Sequence, residues 1–206
     1  MNYLAHLYLS GDSEKLLVGN FIGDYVKGNR YLQFPDGIAQ GILVHRRIDT
    51  FTDQHPKHRE AKRYFREDFG HYSGIIIDFV YDHFLANNWF EYSEISLRWF
   101  AKHVHSVLLS HFTELPIRVQ GFLPFLIQNK RLESYASVDG IIQSIQIMGK
   151  YSSLPAKSEL AKKILLENYT DLEDNFTAFM QDAITFINNE FEIDLKVPGK
   201  NKMPDT

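Results

Sequence analysis

The stretch GILVHRRIDTFTD, residues 41–53, decides how the chain is read. On a helix turning about 100° per residue, with Ile38 at zero, Ile42 falls at about 40°, His45 at about 340° and Asp49 at about 20°. Gly41, Ile48 and Thr52 border them at about 300°, 280° and 320°. A histidine and an aspartate thus hold the middle of an apolar arc, one turn apart. Arg46 and Arg47 point away from it, at about 80° and 180°. A buried carboxylate is costly unless it is paired or bound to a cation. The stretch therefore reads either as a His–Asp hydrogen bond that fixes a core or as a pair of ligands.

The same period runs through the rest of the chain, and no two-residue alternation bounded by hairpin turns interrupts it. A short helix is expected over Tyr3–Leu9. A second should start at an Asp12 or Ser13 N-cap and stop at Gly28. Pro35 and Pro56 bound the helix of the opening stretch. PKHREAKRYFREDFG reads as a basic amphipathic helix, and YSGIIIDFVYDHFLANNWF is apolar nearly all round and should be buried. Helices near 93–111, 116–128 and 138–148 follow, then one long helix from Ala156 to about Glu190. No repeat or linker divides the chain. The expectation is a single all-α domain, a helical bundle over residues 1–193, with a flexible Pro/Gly/Lys-rich tail at 194–206.

The 206 residues are 44% hydrophobic and include sixteen Phe and eleven Tyr, enough to bury a core without covalent staples. There is no cysteine, which excludes thiolate catalysis and any Cys-ligated metal site and fits a reducing compartment. No uncharged apolar run approaches a membrane span, and the N-terminus lacks a basic region before its short apolar stretch, so a cytoplasmic protein is expected. A net charge of −4 gives no global nucleic-acid footprint. The charge is uneven, however. Lys27–Arg66 holds nine basic residues against four acidic, and Glu159–Thr206 holds ten acidic against five basic. These are either two solvated faces or, in the first segment, a basic patch that receives an acidic partner.

A second stripe adds to the first. With Ile75 at zero, Asp78 falls at about 300°, Asp82 at about 340° and His83 at about 80°, beside Phe79 and Ala86. Two carboxylates on one apolar stripe repel each other unless a cation lies between them. No Lys or Arg occurs between Phe69 and Leu97, so the cation is either a divalent metal or Arg46 or Arg47. Asp24 shares a helix face with Leu17 and Phe21, with Asn20 beside it, and His6 sits in apolar YLAHLYL. Oxygen and imidazole donors without thiolate suit Mn²⁺, Mg²⁺, Fe²⁺ or Zn²⁺. Such a metal would lower the pKa of a bound water and polarise a phosphoryl group, which suits hydrolysis of a phosphate ester. Arg46 and Arg47 could hold the phosphate oxygens. A di-iron carboxylate bundle fits less well, because no paired Glu-x-x-His motif is present.

MNYLAHLYLS, GNFIGDYVKG, FPDGIAQGILVHRRIDTFTD, HPKHREAKRYF and IDFVYDHFLANNW, in that order, resemble the acyl carrier protein phosphodiesterase family. The likeness is strong through Trp89 and looser to about Phe191. It implies removal of 4′-phosphopantetheine from holo-acyl carrier protein, a divalent metal, typically Mn²⁺, and a core related to the HD phosphohydrolases. Matched by position, it implies metal ligands among Asp24, His45, Asp49, Asp78, Asp82 and His83. It also matches His6 in LAHL and the Arg46–Arg47 pair; Arg46 or Arg47 is expected at the phosphoryl group, and His6 is the candidate for the acid. The sequence departs from the HD pattern in having no His-Asp dipeptide; it has Asp82-His83 in reverse order. An acidic carrier would meet Lys57, Arg59, Lys62, Arg63 and Arg66 on the basic helix. The long C-terminal helix suggests a homo-oligomer. Two other readings stay open: hydrolysis of a small nucleotide or phosphoester, and a non-catalytic helical binding module.

Overall fold

The computed structural model describes residues 2–195, 197 and 198. Among them there is no strand. Eleven helices follow one another: α1 (Tyr3–Tyr8), α2 (Glu14–Ile22), α3 (Asp36–Gln54), α4 (Pro56–Phe69), α5 (Ser73–Asn87), α6 (Leu97–Ser110), α7 (Ile117–Gln128), α8 (Arg131–Ser134), α9 (Val138–Tyr151), α10 (Ser158–Glu167) and α11 (Tyr169–Phe191). The all-α expectation holds.

α5 lies inside the bundle, as its nearly uniform apolarity requires. Ile76, Ile77, Phe79, Val80, Tyr81, Phe84, Leu85 and Ala86 are all buried. α1, α4, α9 and α11 pack around it. Beside this core α2 crosses α3 at very short range, and glycine makes the crossing fit. A Cβ added to Gly19 would run into the Ile38 carbonyl and lie 2.7 Å from Gly41 Cα. One added to Gly41 would meet the Leu16 carbonyl, and one added to Gly23 would meet the His45 ring. These three missing side chains bring the end of α2 onto the middle of α3.

Two helix boundaries differ from expectation, each for a local reason. Ser13 does cap α2, accepting from the Leu16 N–H, but α2 stops at Ile22 rather than at Gly28. A 3₁₀ turn follows over Gly23–Tyr25, and Arg46 then takes the Val26 and Gly28 carbonyls at 2.8 and 2.7 Å, holding that backbone out of a helix. The single long C-terminal helix is two, α10 and α11. They part at Asn168, whose side-chain amide bonds the Ile164 carbonyl at 2.8 Å. α11 spends its apolar stripe on the core: Leu172, Phe176, Phe179, Met180, Ala183 and Ile187 are buried. Most of the 194–206 tail lies outside the described residues. The start of it is packed, since Leu195 is buried and its N–H bonds Asn188 Oδ1 at 3.1 Å.

Candidate active site

The close crossing of α2 and α3 sets two histidines face to face. His6 on α1 and His45 on α3 stack with ring centroids 4.1 Å apart. Asn20 on α2, fully buried, holds both. Its side-chain oxygen meets His6 Nδ1 at 2.8 Å, and its backbone carbonyl meets His45 Nδ1 at 2.8 Å. The Asn20 amide nitrogen donates to the His6 carbonyl at 2.7 Å and to Ser10 Oγ at 2.9 Å, which fixes which end of the amide is oxygen. Both Nδ1 atoms therefore carry the proton and donate to oxygen. Both Nε2 atoms turn outward to the same place.

Two carboxylates meet them there. Asp49 approaches His6 Nε2 at 3.2 Å and His45 Nε2 at 3.2 Å. Asp24, in the 3₁₀ turn after α2, lies 3.6 Å from His45 Nε2. The histidines are buried, while the Asp49 and Asp24 side chains are 40% and 66% exposed, so the cluster has a dry floor and a wet rim. Buried His45 Nε2 is close to both acids but aligned for a hydrogen bond with neither. Donor atoms of His6, His45 and Asp49 all lie within 4.8 Å of one another, a group that could hold a metal ion. An orphaned, outward-facing imidazole nitrogen between carboxylates, with the other ring nitrogen fixed by a carbonyl, is what a metal-ligating histidine requires.

Without a cation the cluster stores a proton instead. Burial lowers His45, but Asp24 and Asp49 outweigh it and lift it to about 9. Burial and the neighbouring His45 push His6 down to about 4. Burial opposes ionisation of Asp49, yet His45 and His6 hold it well below the usual carboxylate range. The pair's single positive charge thus sits on His45.

The structure does not bring the remaining residues of the expected ligand set into this group. Asp82 is fully buried and accepts from the Leu4 and Ala5 N–H groups at 2.9 and 3.0 Å, capping the first turn of α1. The cation that its burial demanded is a pair of backbone donors, and burial still pushes its carboxyl up to about 7. His83 uses both ring nitrogens within the fold, on the Tyr135 carbonyl and the Tyr169 hydroxyl, each at 2.9 Å. Asp78 stands 3.4 Å from buried His58. Arg46 is spent on the Val26 and Gly28 carbonyls and lies over the Tyr31 ring. Arg47 pairs with Glu190 at 2.9 Å over the Phe186 ring. Neither arginine faces the cluster. On α4, Arg59, Arg63 and Arg66 are exposed, Lys57 pairs with Glu60 at 3.1 Å, and Lys62 lies 4.0 Å from Asp53.

Sequence reasoning passed over Asn20 as a functional residue. Its signal was present in the spacing, four residues before Asp24 on the same face, but its role depends on two other helices. The local pattern around His55 gives it no role. His55 is buried, accepts from the Lys57 N–H at the start of α4 and reaches Asp182 at 3.1 Å.

The chain matches the family described as acyl carrier protein phosphodiesterase over residues 1–183. A protein of Yersinia pestis with that name is 36% identical over 87% of this chain and 93% of its own length. One from Serratia proteamaculans is 35% identical over the same shares. One from Enterobacter is 32% identical over 98% of this chain and 99% of its own. No solved structure matches the chain, so kinship to the HD core rests on the sequence resemblance.

Proposed function

The chain belongs to the acyl carrier protein phosphodiesterase family, and from that premise we propose that it hydrolyses the phosphodiester joining 4′-phosphopantetheine to a serine of holo-acyl carrier protein. The products are the apo-carrier and 4′-phosphopantetheine. We further propose that a divalent metal, Mn²⁺ first, is held by His6, Asp24, His45 and Asp49. The observation that carries this reading is the buried, orphaned His45 Nε2 facing Asp24 and Asp49.

When bound, the metal supplies Lewis-acid polarisation of the phosphoryl group and a lowered pKa for a coordinated water. The chain's own residues prepare for it. Asn20 fixes both Nδ1 protons, so the two Nε2 lone pairs arrive already aimed. Asp49 and Asp24 supply negative charge at the rim, where a phosphodiester can reach it. His45 must release its proton as the metal enters, so metal affinity rises with pH up to about 9. Asp82 and His83 keep the scaffold, Asp82 by anchoring the helix that carries His6.

The substrate carrier is acidic, and the exposed face of α4 suits it. Arg59 Nε donates to the Asp53 carbonyl at 3.1 Å, which ties this face to the end of α3, one turn beyond Asp49. Arg59→Glu with Arg63→Glu should raise the KM for holo-carrier and weaken its salt dependence. An unchanged KM would remove α4 from docking.

The direct test is intact mass spectrometry of holo-carrier after incubation with the protein and Mn²⁺, beside EDTA and His45→Ala controls. Loss of one phosphopantetheine, absent from both controls, is the expected outcome. No mass change from a folded protein under any divalent metal would reject the reaction.

A further inference from the structure

The phosphodiester needs a cation at its non-bridging oxygens and a surface for the pantetheine chain, and Arg46 and Arg47 supply neither. We propose that α7 supplies both: Arg118 grips the phosphate, and the stripe Arg118, Gly121, Phe122 and Phe125 carries the pantetheine arm. This rests on the reaction proposed above.

The stripe abuts the candidate site through aromatic rings. Phe122 packs on Tyr3, Phe21 and Tyr25 with centroids 5.9, 6.0 and 5.8 Å apart. Tyr25 is the residue after Asp24 in the same 3₁₀ turn. Arg118 lies one turn before Phe122 on the same helix face, the face that packs on Tyr25. Arg118 is exposed and makes no ion pair among the described residues. It is therefore uncommitted in a way that Arg46 and Arg47 are not. The Tyr25 hydroxyl bonds the Tyr3 hydroxyl at 2.9 Å and, as both donor and acceptor, has a further bond to give.

Beyond Arg118 the face suits a thin chain of amides and methyl groups. A Cβ placed on Gly121 would meet nothing within 4 Å, so the helix surface lies bare between Arg118 and Phe125. Phe125, 43% exposed with the Arg131 guanidinium 5.9 Å from its ring centre, offers an apolar edge at the end of the stripe. Arg118 to Phe125 covers about 10 Å along the helix, enough for much of a pantetheine arm leading away from a phosphate.

Two variants and two small ligands test this without turnover. Calorimetry would measure 4′-phosphopantetheine and inorganic phosphate binding to the Mn²⁺-loaded protein. Arg118→Ala should weaken both by about tenfold or more, the scale of one charge-assisted hydrogen bond. Gly121→Trp fills open space without touching the core. It should weaken 4′-phosphopantetheine, raise the KM for holo-carrier and leave phosphate unchanged. Equal binding of 4′-phosphopantetheine to both variants and the parent, with holo-carrier still hydrolysed, overturns the α7 assignment alone. A parent that neither binds 4′-phosphopantetheine nor hydrolyses holo-carrier overturns the reaction and this inference with it.

Discussion

The cluster of His6, Asp24, His45 and Asp49 and the α5 stripe of Asp78, Asp82 and His83 are built of the same residue types on equally apolar backgrounds. In the α5 stripe, Asp82 meets two backbone N–H groups and His83 bonds a carbonyl and a hydroxyl. In the cluster, His45 Nε2 is buried beside two acids and hydrogen-bonded to neither. A helical pattern reports that polar groups are buried. Only their partners report whether the fold has already satisfied them or left a donor for a ligand. The first stripe is therefore read as chemistry, and Asp82 and His83 of the second as architecture.

That contrast can be broken. Asp82→Ala removes the cap of α1 and leaves two N–H groups buried without an acceptor. It should cost roughly 2–4 kcal/mol of stability, read from the denaturant midpoint, if each group costs about 1–3 kcal/mol less some relaxation. A loss below about 0.5 kcal/mol would mean that Asp82 is not architectural. Asn20→Ala sharpens the other side. It frees the Nδ1 proton of His6 and should weaken Mn²⁺ binding by about 10–100-fold, the usual scale for a residue that orients a ligand. Equal Mn²⁺ affinity in parent and variant would deny Asn20 that role.

A further effect is expected on pH dependence without metal. Between pH 6.5 and about 9 the native His45 keeps a proton that the unfolded chain has released, so stability falls as pH rises. Between about 4 and 6.5 the unfolded chain binds a proton that native His6 refuses, but over the same range native Asp82 keeps a proton that the unfolded chain has released, so the two oppose each other. The Tm of EDTA-treated protein should therefore change little from pH 4 to 6.5 and fall from pH 6.5 to 9. Excess Mn²⁺ should lift the alkaline limb, because it replaces the His45 proton. A Tm that climbs steadily from pH 6.5 to 9 without metal would show that His45 is not the proton store.

Much of this was legible in the sequence. The wheel placed His45 and Asp49 on the buried arc of α3, and the apolar surround of α5 marked it as the innermost helix. What was not legible depended on contacts between helices. Nothing in the local pattern shows that Arg46 will bond two carbonyls of the preceding loop and shorten α2. Nothing around Asn168 breaks the helical period, yet one side-chain amide turning back on the Ile164 carbonyl ends α10. The role of Asn20 requires α1, α2 and α3 together. The basic count of Lys27–Arg66 was real, but it merged arginines committed to the fold with exposed ones on α4.

The anchoring of α1 by Asp82 also sets an order of assembly. His45 reaches the Asn20 carbonyl across 25 positions, a short loop closed by the glycine crossing of α2 and α3. α1, which carries His6, is pinned by a side chain 77 and 78 positions away. The bonds that orient both histidines thus close over short loops, while the cap on the helix that carries His6 waits for a distant segment to be made and docked. A chain emerging from the ribosome can form the His45–Asn20 and His6–Asn20 bonds early, but the first turn of α1 stays uncapped until α5 has arrived.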